Sequence, residues 1–120
     1  CRLAVISGSV DLLLEHLYPA VPFAHVLINR LRFDRSGQLV GGEPTSYDLE
    51  RKAEGLVRLA EQEGLGLDRC AFLGDQENDI AALRLAGLGI AFNPATPQVA
   101  SAADVVVRGP DLRPVLDYLT

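Results

Sequence analysis

Short apolar runs alternate along this chain with stretches whose apolar residues recur at helical spacing. Residues 3–6 (Leu-Ala-Val-Ile) stop at Ser7-Gly8-Ser9, the pattern of a buried strand ending in a tight turn. Asp11–Leu17 is Leu-rich and predicts a helix halted near Pro19 and Pro22. His25–Phe33 alternates as a strand, Asp34-Arg35-Ser36-Gly37 is a turn signal, residues 38–40 form the return strand of a hairpin, and residues 41–46 are a loop. The clearest helix is predicted over residues 47–63. There Leu49, Ala53, Leu56 and Ala60 share one face, and Gly64 and Gly66 end it. The remainder predicts a strand over 71–73, a helix over 77–86, a strand over 90–92, a short helix over 96–102, a strand over 104–107 and a final helix over 111–119. Strands that alternate with amphipathic helices point to an α/β fold whose mostly parallel sheet is covered on both faces. Chemistry in such open sheets collects just past the carboxyl ends of the strands.

Composition narrows the function. The chain has 120 residues, 48% apolar and 22% charged, which suits one compact domain and excludes a disordered segment. No apolar run reaches the roughly 18 residues of a membrane span. A formal charge of −5 leaves no basic face for general nucleic-acid binding. Neither a membrane nor a nucleic acid is therefore an expected partner. With no visible targeting signal, the expected location is cytoplasmic. Of the two cysteines, Cys70 lies in an apolar segment and reads as an inert core thiol. His16 and His25 read as boundary histidines.

Three places carry candidate chemistry. Ser7-Gly8 follows the first strand, where a hydroxyl and a glycine N–H can cradle an anion; the same tripeptide also reads as an ordinary turn. Lys52 is the only lysine among 11 basic residues. A compact point charge kept where every other base is arginine suggests a specific role, although solvated surface is the usual fate of such a residue. Gly74-Asp75-Gln76-Glu77-Asn78-Asp79 sets three carboxylates and Asn78 between a strand end and a helix start. Asp75 reads either as a helix N-cap or as one of the hard oxygen ligands that suit Mg²⁺ beside a phosphate. Hydroxyl and N–H donors, one ammonium and a carboxylate site are together the parts of phosphoryl transfer.

These motifs resemble the haloacid dehalogenase superfamily, in its phosphoserine phosphatase branch. Ser7-Gly8 matches the second motif, Lys52 the third, and Gly74-Asp75…Asn78-Asp79 the fourth, G-D-x-x-N-D. The segment Asn29-Arg30-Leu31…Asp34…Gly37 and the later Ala86-Gly87-Leu88-Gly89-Ile90-Ala91-Phe92 are similar as well, so the likeness spans essentially the whole chain. Ser9 departs from the branch, which usually has a second glycine there. The resemblance implies a Rossmannoid three-layer αβα sandwich and an Mg²⁺-dependent phosphomonoesterase for a small metabolite such as phosphoserine. It implies that Ser7, Gly8, Lys52 and Asn78 hold phosphate, that Asp75 and Asp79 serve the metal, and that Lys52 and Asp79 act in catalysis.

The first motif, D-x-D-x-T/V, is absent. In the superfamily it supplies the nucleophilic aspartate and the acid/base aspartate, on a strand between those ending here at Ser7 and Gly74. Together with the lack of methionine, this leads to the expectation that these residues are the later part of a longer catalytic core. A further segment would supply the central strand and cap, and the 120 residues alone would be inactive. The alternative is a non-catalytic phosphate- and metal-binding regulatory domain derived from such a phosphatase.

Overall fold

The computed structural model describes residues 1–119. Strand β1 (Ala4–Val10) leads into helix α1 (Asp11–Leu17), followed by β2 (His25–Phe33) and β3 (Leu39–Glu43). Helix α2 (Lys52–Gln62), β4 (Ala71–Gly74), α3 (Ile80–Leu85), β5 (Leu88–Phe92), α4 (Pro97–Ala102), β6 (Val105–Val107) and α5 (Leu116–Leu119) complete the order. The α/β class and the mostly parallel pairing agree with the pattern of the sequence.

The strands form two sheets rather than one. β1 pairs parallel with β2, and β2 antiparallel with β3. β4 pairs parallel with β5, and β5 parallel with β6. The outer edges of β1 and β4 pair with no strand among the described residues. They border a single cleft of about 850 Å³, lined by residues of β1 and β4 and by Leu56, Leu59 and Ala60 of α2. Leu3, just before β1, and Leu73 of β4 stand 47% and 43% exposed there, in runs the sequence marks as buried strands.

The core concentrates on the second sheet, where buried side chains pack on both faces of β5. Successive residues of a strand point to opposite faces. Ala91 accordingly packs with Leu83, Val99 and Ala102 of α3 and α4. Its neighbour Ile90 packs with Val107 and Val115 on the other side. Burying Leu83, Ile90, Val99, Val107 and Val115 stabilises by about 1.5–3 kcal/mol each, so this sheet is a firm base for the loop after β4.

Several boundaries differ from the pattern. β1 continues through Ser7-Gly8-Ser9 to Val10, with its register to β2 shifting between Ile6 and Val10. The segment is thus an irregular strand end rather than a tight turn. β3 runs to Glu43, into the expected loop. The three longer predicted helices each open with a 3-10 turn, at Leu49–Arg51, Glu77–Asp79 and Arg113–Val115. Cys70 is half-buried at the rim of β4, its thiol 3.6 Å from the Gly66 carbonyl, and is not a core residue. His25 is not a bystander: its Nε2 lies 2.6 Å from Glu63 Oε1, tying β2 to the end of α2.

Candidate functional site

The densest polar arrangement surrounds Asp79. Its side chain is almost fully buried, and three donors converge on its carboxylate. Lys52 donates from Nζ to Oδ1 at 2.7 Å, while the backbone N–H groups of Asp75 and Gln76 donate to Oδ2 at 2.9 and 3.0 Å. A buried carboxylate needs such partners, since its desolvation otherwise costs several kcal/mol. The local sequence builds them. Gln76 caps the 3-10 turn and Asp79 is its third residue, so each side chain bonds the other's backbone in a reciprocal capping box. The N-cap role considered for Asp75 therefore belongs to Gln76.

Gly74 makes room for this arrangement. A Cβ at that position would lie 2.6 Å from the Cβ and Cγ of Asp79 and 2.7 Å from its Oδ2. The glycine of the G-D-x-x-N-D run is required by close approach rather than by a turn.

Lys52 is the first residue of α2, after the 3-10 turn, and is 13% exposed. It reaches across 27 residues of sequence to Asp79. Asp75 stands at the carboxyl end of β4, its Oδ2 accepting, among the described residues, only from the Gln76 side-chain amide at 3.2 Å. Lys52, Gly74, Asp75 and Asp79 all line the same cleft as Ile6.

Ser7 and Gly8 belong to the irregular end of β1. Ser7 Oγ accepts from the Ser9 N–H at 3.1 Å. Gly8 packs beside Asp48, four residues before Lys52: a Cβ built on it would lie 3.4 Å from Asp48 Cβ. The second and third motifs are thus joined through the segment that precedes α2.

Asn29 organises this junction, and the sequence pattern had assigned it no role. Its Nδ2 donates to the Gly8 carbonyl at 2.8 Å, and its Oδ1 accepts from the Thr45 N–H at 2.8 Å. The signal for it was a polar amide in the middle of an apolar strand, where asparagine is disfavoured.

Asn78 Oδ1 is buried and has no hydrogen-bond partner among the described residues. Leaving a buried acceptor unsatisfied costs about 1–3 kcal/mol. The atom therefore awaits a donor or cation from outside these residues. The donor chemistry fits Mg²⁺, which takes one or two carboxylates and completes its shell with water and substrate phosphate. Asp75 has oxygen to spare for a metal. Asp79 has both oxygens engaged and is placed to orient its neighbours.

Comparison with known proteins shows the family. Models of the haloacid dehalogenase-like hydrolases match residues 1–84 and 50–119. The chain belongs to this family. Within the haloacid dehalogenase-like hydrolases it is similar to the phosphoserine phosphatase of Methanocaldococcus jannaschii, with 33% identity over 117 residues, covering 97% of this chain and 54% of that protein. It is 35% identical over 121 residues to phosphoserine phosphatase SerB2 of Mycobacterium tuberculosis, covering 98% of this chain and 29% of the relative. A substrate-bound phosphoserine phosphatase complex superimposes with a TM-score of 0.81 at 31% identity, covering 98% of this chain and 55% of that one. The apo form of a phosphoserine phosphatase superimposes at 0.79 with 32% identity, covering 96% of this chain and 57% of that one. The chain spans about half the length, or less, of the relatives it matches. No helix of the described residues is long and apolar enough to cross a membrane.

Proposed function

We propose that these residues are the larger part of the catalytic core of an Mg²⁺-dependent phosphomonoesterase acting on phosphoserine or a similar small phosphomonoester. The observation that carries this reading is the placement of the Lys52–Asp79 pair, with Asp75 beside it, at the cleft between two unpaired strand edges. In this reading the cleft receives one further strand, which pairs with β1 and β4 and brings the nucleophilic and acid/base aspartates of the missing motif to the carboxyl ends of the strands. An unpaired edge buried beneath other structure leaves N–H and C=O groups without partners. That cost favours a strand as the occupant.

Each residue then has a physical task. Ser7 and the Gly8 N–H hold equatorial phosphoryl oxygens, and Asn29 fixes the Gly8 peptide by gripping its carbonyl. Lys52 offsets negative charge on the phosphate and nucleophile, and Asp79 fixes where its ammonium stands. Asn78 helps hold the phosphate. Asp75 would ligate Mg²⁺, with Asp79 orienting its hydration, and the metal would supply charge neutralisation at the phosphate. The attacking aspartate displaces the leaving alkoxide in line, the acid/base aspartate protonates that alkoxide, and water then hydrolyses the aspartyl-phosphate. Most of the catalysis is positioning and electrostatics.

The test is phosphate release from phosphoserine by the whole protein, compared with its Lys52→Ala variant. Loss of one group that stabilises the transition state typically lowers kcat by about 10²–10³. A variant that keeps the parent kcat removes Lys52 from the mechanism. The second reading, a non-catalytic phosphate-binding domain, requires that the whole protein release no phosphate from any ester yet still bind inorganic phosphate.

A further inference from the structure

The main chain of Asp75 is anchored on both sides of the residue. Its N–H donates to Asp79 Oδ2 at 2.9 Å, and its carbonyl accepts from the Ala95 N–H at 2.8 Å. The side chain between these anchors is exposed. Ala95 belongs to the loop between β5 and α4, and that loop is built on a strained residue. Asn93 adopts φ +45°, in the left-handed region. It also precedes Pro94, whose ring favours an extended residue before it. Asparagine visits the left-handed region more readily than most side chains, but Asn93 is exposed, so burial does not keep it there.

Hydrogen bonds hold it there instead. Asn93 Nδ2 donates to the Gly109 carbonyl at 2.8 Å, and its Oδ1 accepts from the Gly109 N–H at 3.0 Å. Its own N–H donates to the Val107 carbonyl at 2.9 Å. Gly109 has φ +137°, a conformation that favours glycine. One side-chain amide thus closes a two-point clamp on the segment after β6. The loops past the carboxyl ends of β6, β5 and β4 are joined in series: Gly109 to Asn93, then Ala95, two residues on, to Asp75. Costly backbone conformations persist where the surrounding structure enforces them, and they gather at functional sites. Closing the end of the second sheet needs the Asn93–Gly109 bonds alone. The bond from Ala95 carries the clamp one loop further, to the residue assigned to the metal.

We propose that Asn93 is a positioning residue that fixes the Asp75 main chain, through Ala95, for Mg²⁺ binding. The inference rests on the Mg²⁺-dependent phosphomonoesterase reading and deepens it. The experiment measures the Mg²⁺ affinity of the whole protein in two ways: the rise of Tm with Mg²⁺ concentration, and the Mg²⁺ concentration that half-saturates phosphate release from para-nitrophenyl phosphate. Asn93→Gly permits the left-handed backbone and removes both side-chain bonds to Gly109. It should weaken Mg²⁺ affinity by about tenfold or more on both measures, as loss of a group that orients a metal ligand typically does, with a smaller fall in kcat at saturating Mg²⁺. In the metal-free variant the Ala95 amide should exchange faster than in the parent. Asn93→Asp tolerates the same backbone and keeps an acceptor for the Gly109 N–H, so it should recover part of the affinity. Gly64→Ala, strained at φ +66° after the end of α2, should lower Tm and leave Mg²⁺ affinity unchanged. An Asn93→Gly protein with the parent's Mg²⁺ affinity overturns the assignment, whatever its stability, and leaves the phosphatase reading intact. A parent that neither gains stability in Mg²⁺ nor releases phosphate overturns both.

Discussion

Gly74→Ala probes whether the Asp79 carboxylate is the keystone of the site. The added methyl would sit 2.6 Å from Asp79 Cβ and Cγ, far inside van der Waals contact, and Asp79 is too buried to swing away freely. Overpacking of this kind costs about 1–3 kcal/mol. If the carboxylate is displaced, it also loses bonds from Lys52, Asp75 and Gln76, and hydrogen bonds to charged groups are worth about 1.5–3 kcal/mol each. Allowing for partial retention, we expect a loss of about 3–5 kcal/mol, a large share of the 5–15 kcal/mol typical of a domain. The assay is urea unfolding of the whole protein, read as a fall in midpoint at unchanged slope. Hydrogen exchange at the Asp75 and Gln76 amides should accelerate as well. Gly64→Ala is the control, because Gly64 has φ +66° but no atom within 4 Å of its would-be Cβ. It should cost only the left-handed strain of about 1–2 kcal/mol. A Gly74→Ala protein no less stable than Gly64→Ala, with its Asp75 and Gln76 amides still protected, would refute the close-approach argument.

Three further outcomes are expected. Asn29→Ala should lower stability by about 1–3 kcal/mol, two bonds at about 0.5–1.5 kcal/mol each, and should lower phosphatase kcat because the Gly8 peptide is released; calorimetry and steady-state kinetics check this. In hydrogen exchange of the whole protein, the amides on the cleft-facing edges of β1 and β4 should be as slow as those of β5; fast exchange there would show that no strand fills the cleft. The Asp34 carboxylate accepts from the Ser36 hydroxyl at 2.6 Å and from the Ser36 and Gln38 N–H groups at 2.9 and 3.0 Å. These bonds, the Ser36 hydroxyl foremost, hold its pKa below the usual 3.8. Because the folded value is the lower one, its contribution to stability is complete above the unfolded value and is lost as pH falls through the folded one. A carboxylate NMR titration should place its midpoint under 3.8, and the hairpin turn should loosen only in that acid range.

The fold was legible where the sequence repeats a period. The spacing of Ala53, Leu56 and Ala60 located α2, while Leu49, grouped with them by the pattern, lies in the preceding 3-10 turn and is exposed. The run from Ile90 to Phe92 located the central strand of the second sheet, which starts two residues earlier at Leu88. The starts of the longer helices were misjudged because apolar spacing over a single turn is the same for i+3 and i+4 bonding. Ser7-Gly8-Ser9 has the composition of a turn but lies at an irregular strand end, which pairing with β2 decides and local sequence does not. In the site, Gly74, Asp75, Asn78 and Asp79 were legible because the chain packs them into six residues, and Lys52 because it is the only lysine. Asn29 and Asn93 were assigned no role. Each acts through partners distant in sequence, and a single polar residue has no period to announce it. The reason for Gly74 was likewise hidden, since it lies in the distance to a side chain five residues away.

The central claim is that Asp75 serves a metal-dependent phosphoryl transfer. The most direct measurement is phosphate release by the whole protein in Mg²⁺, in EDTA, and as Asp75→Asn in Mg²⁺. Asp75 is exposed, so the variant should fold normally. We expect turnover that EDTA abolishes and Mg²⁺ restores, and a fall in kcat of about 10²-fold or more in the variant. Turnover that is indifferent to EDTA, or an Asp75→Asn protein as active as the parent, would contradict it.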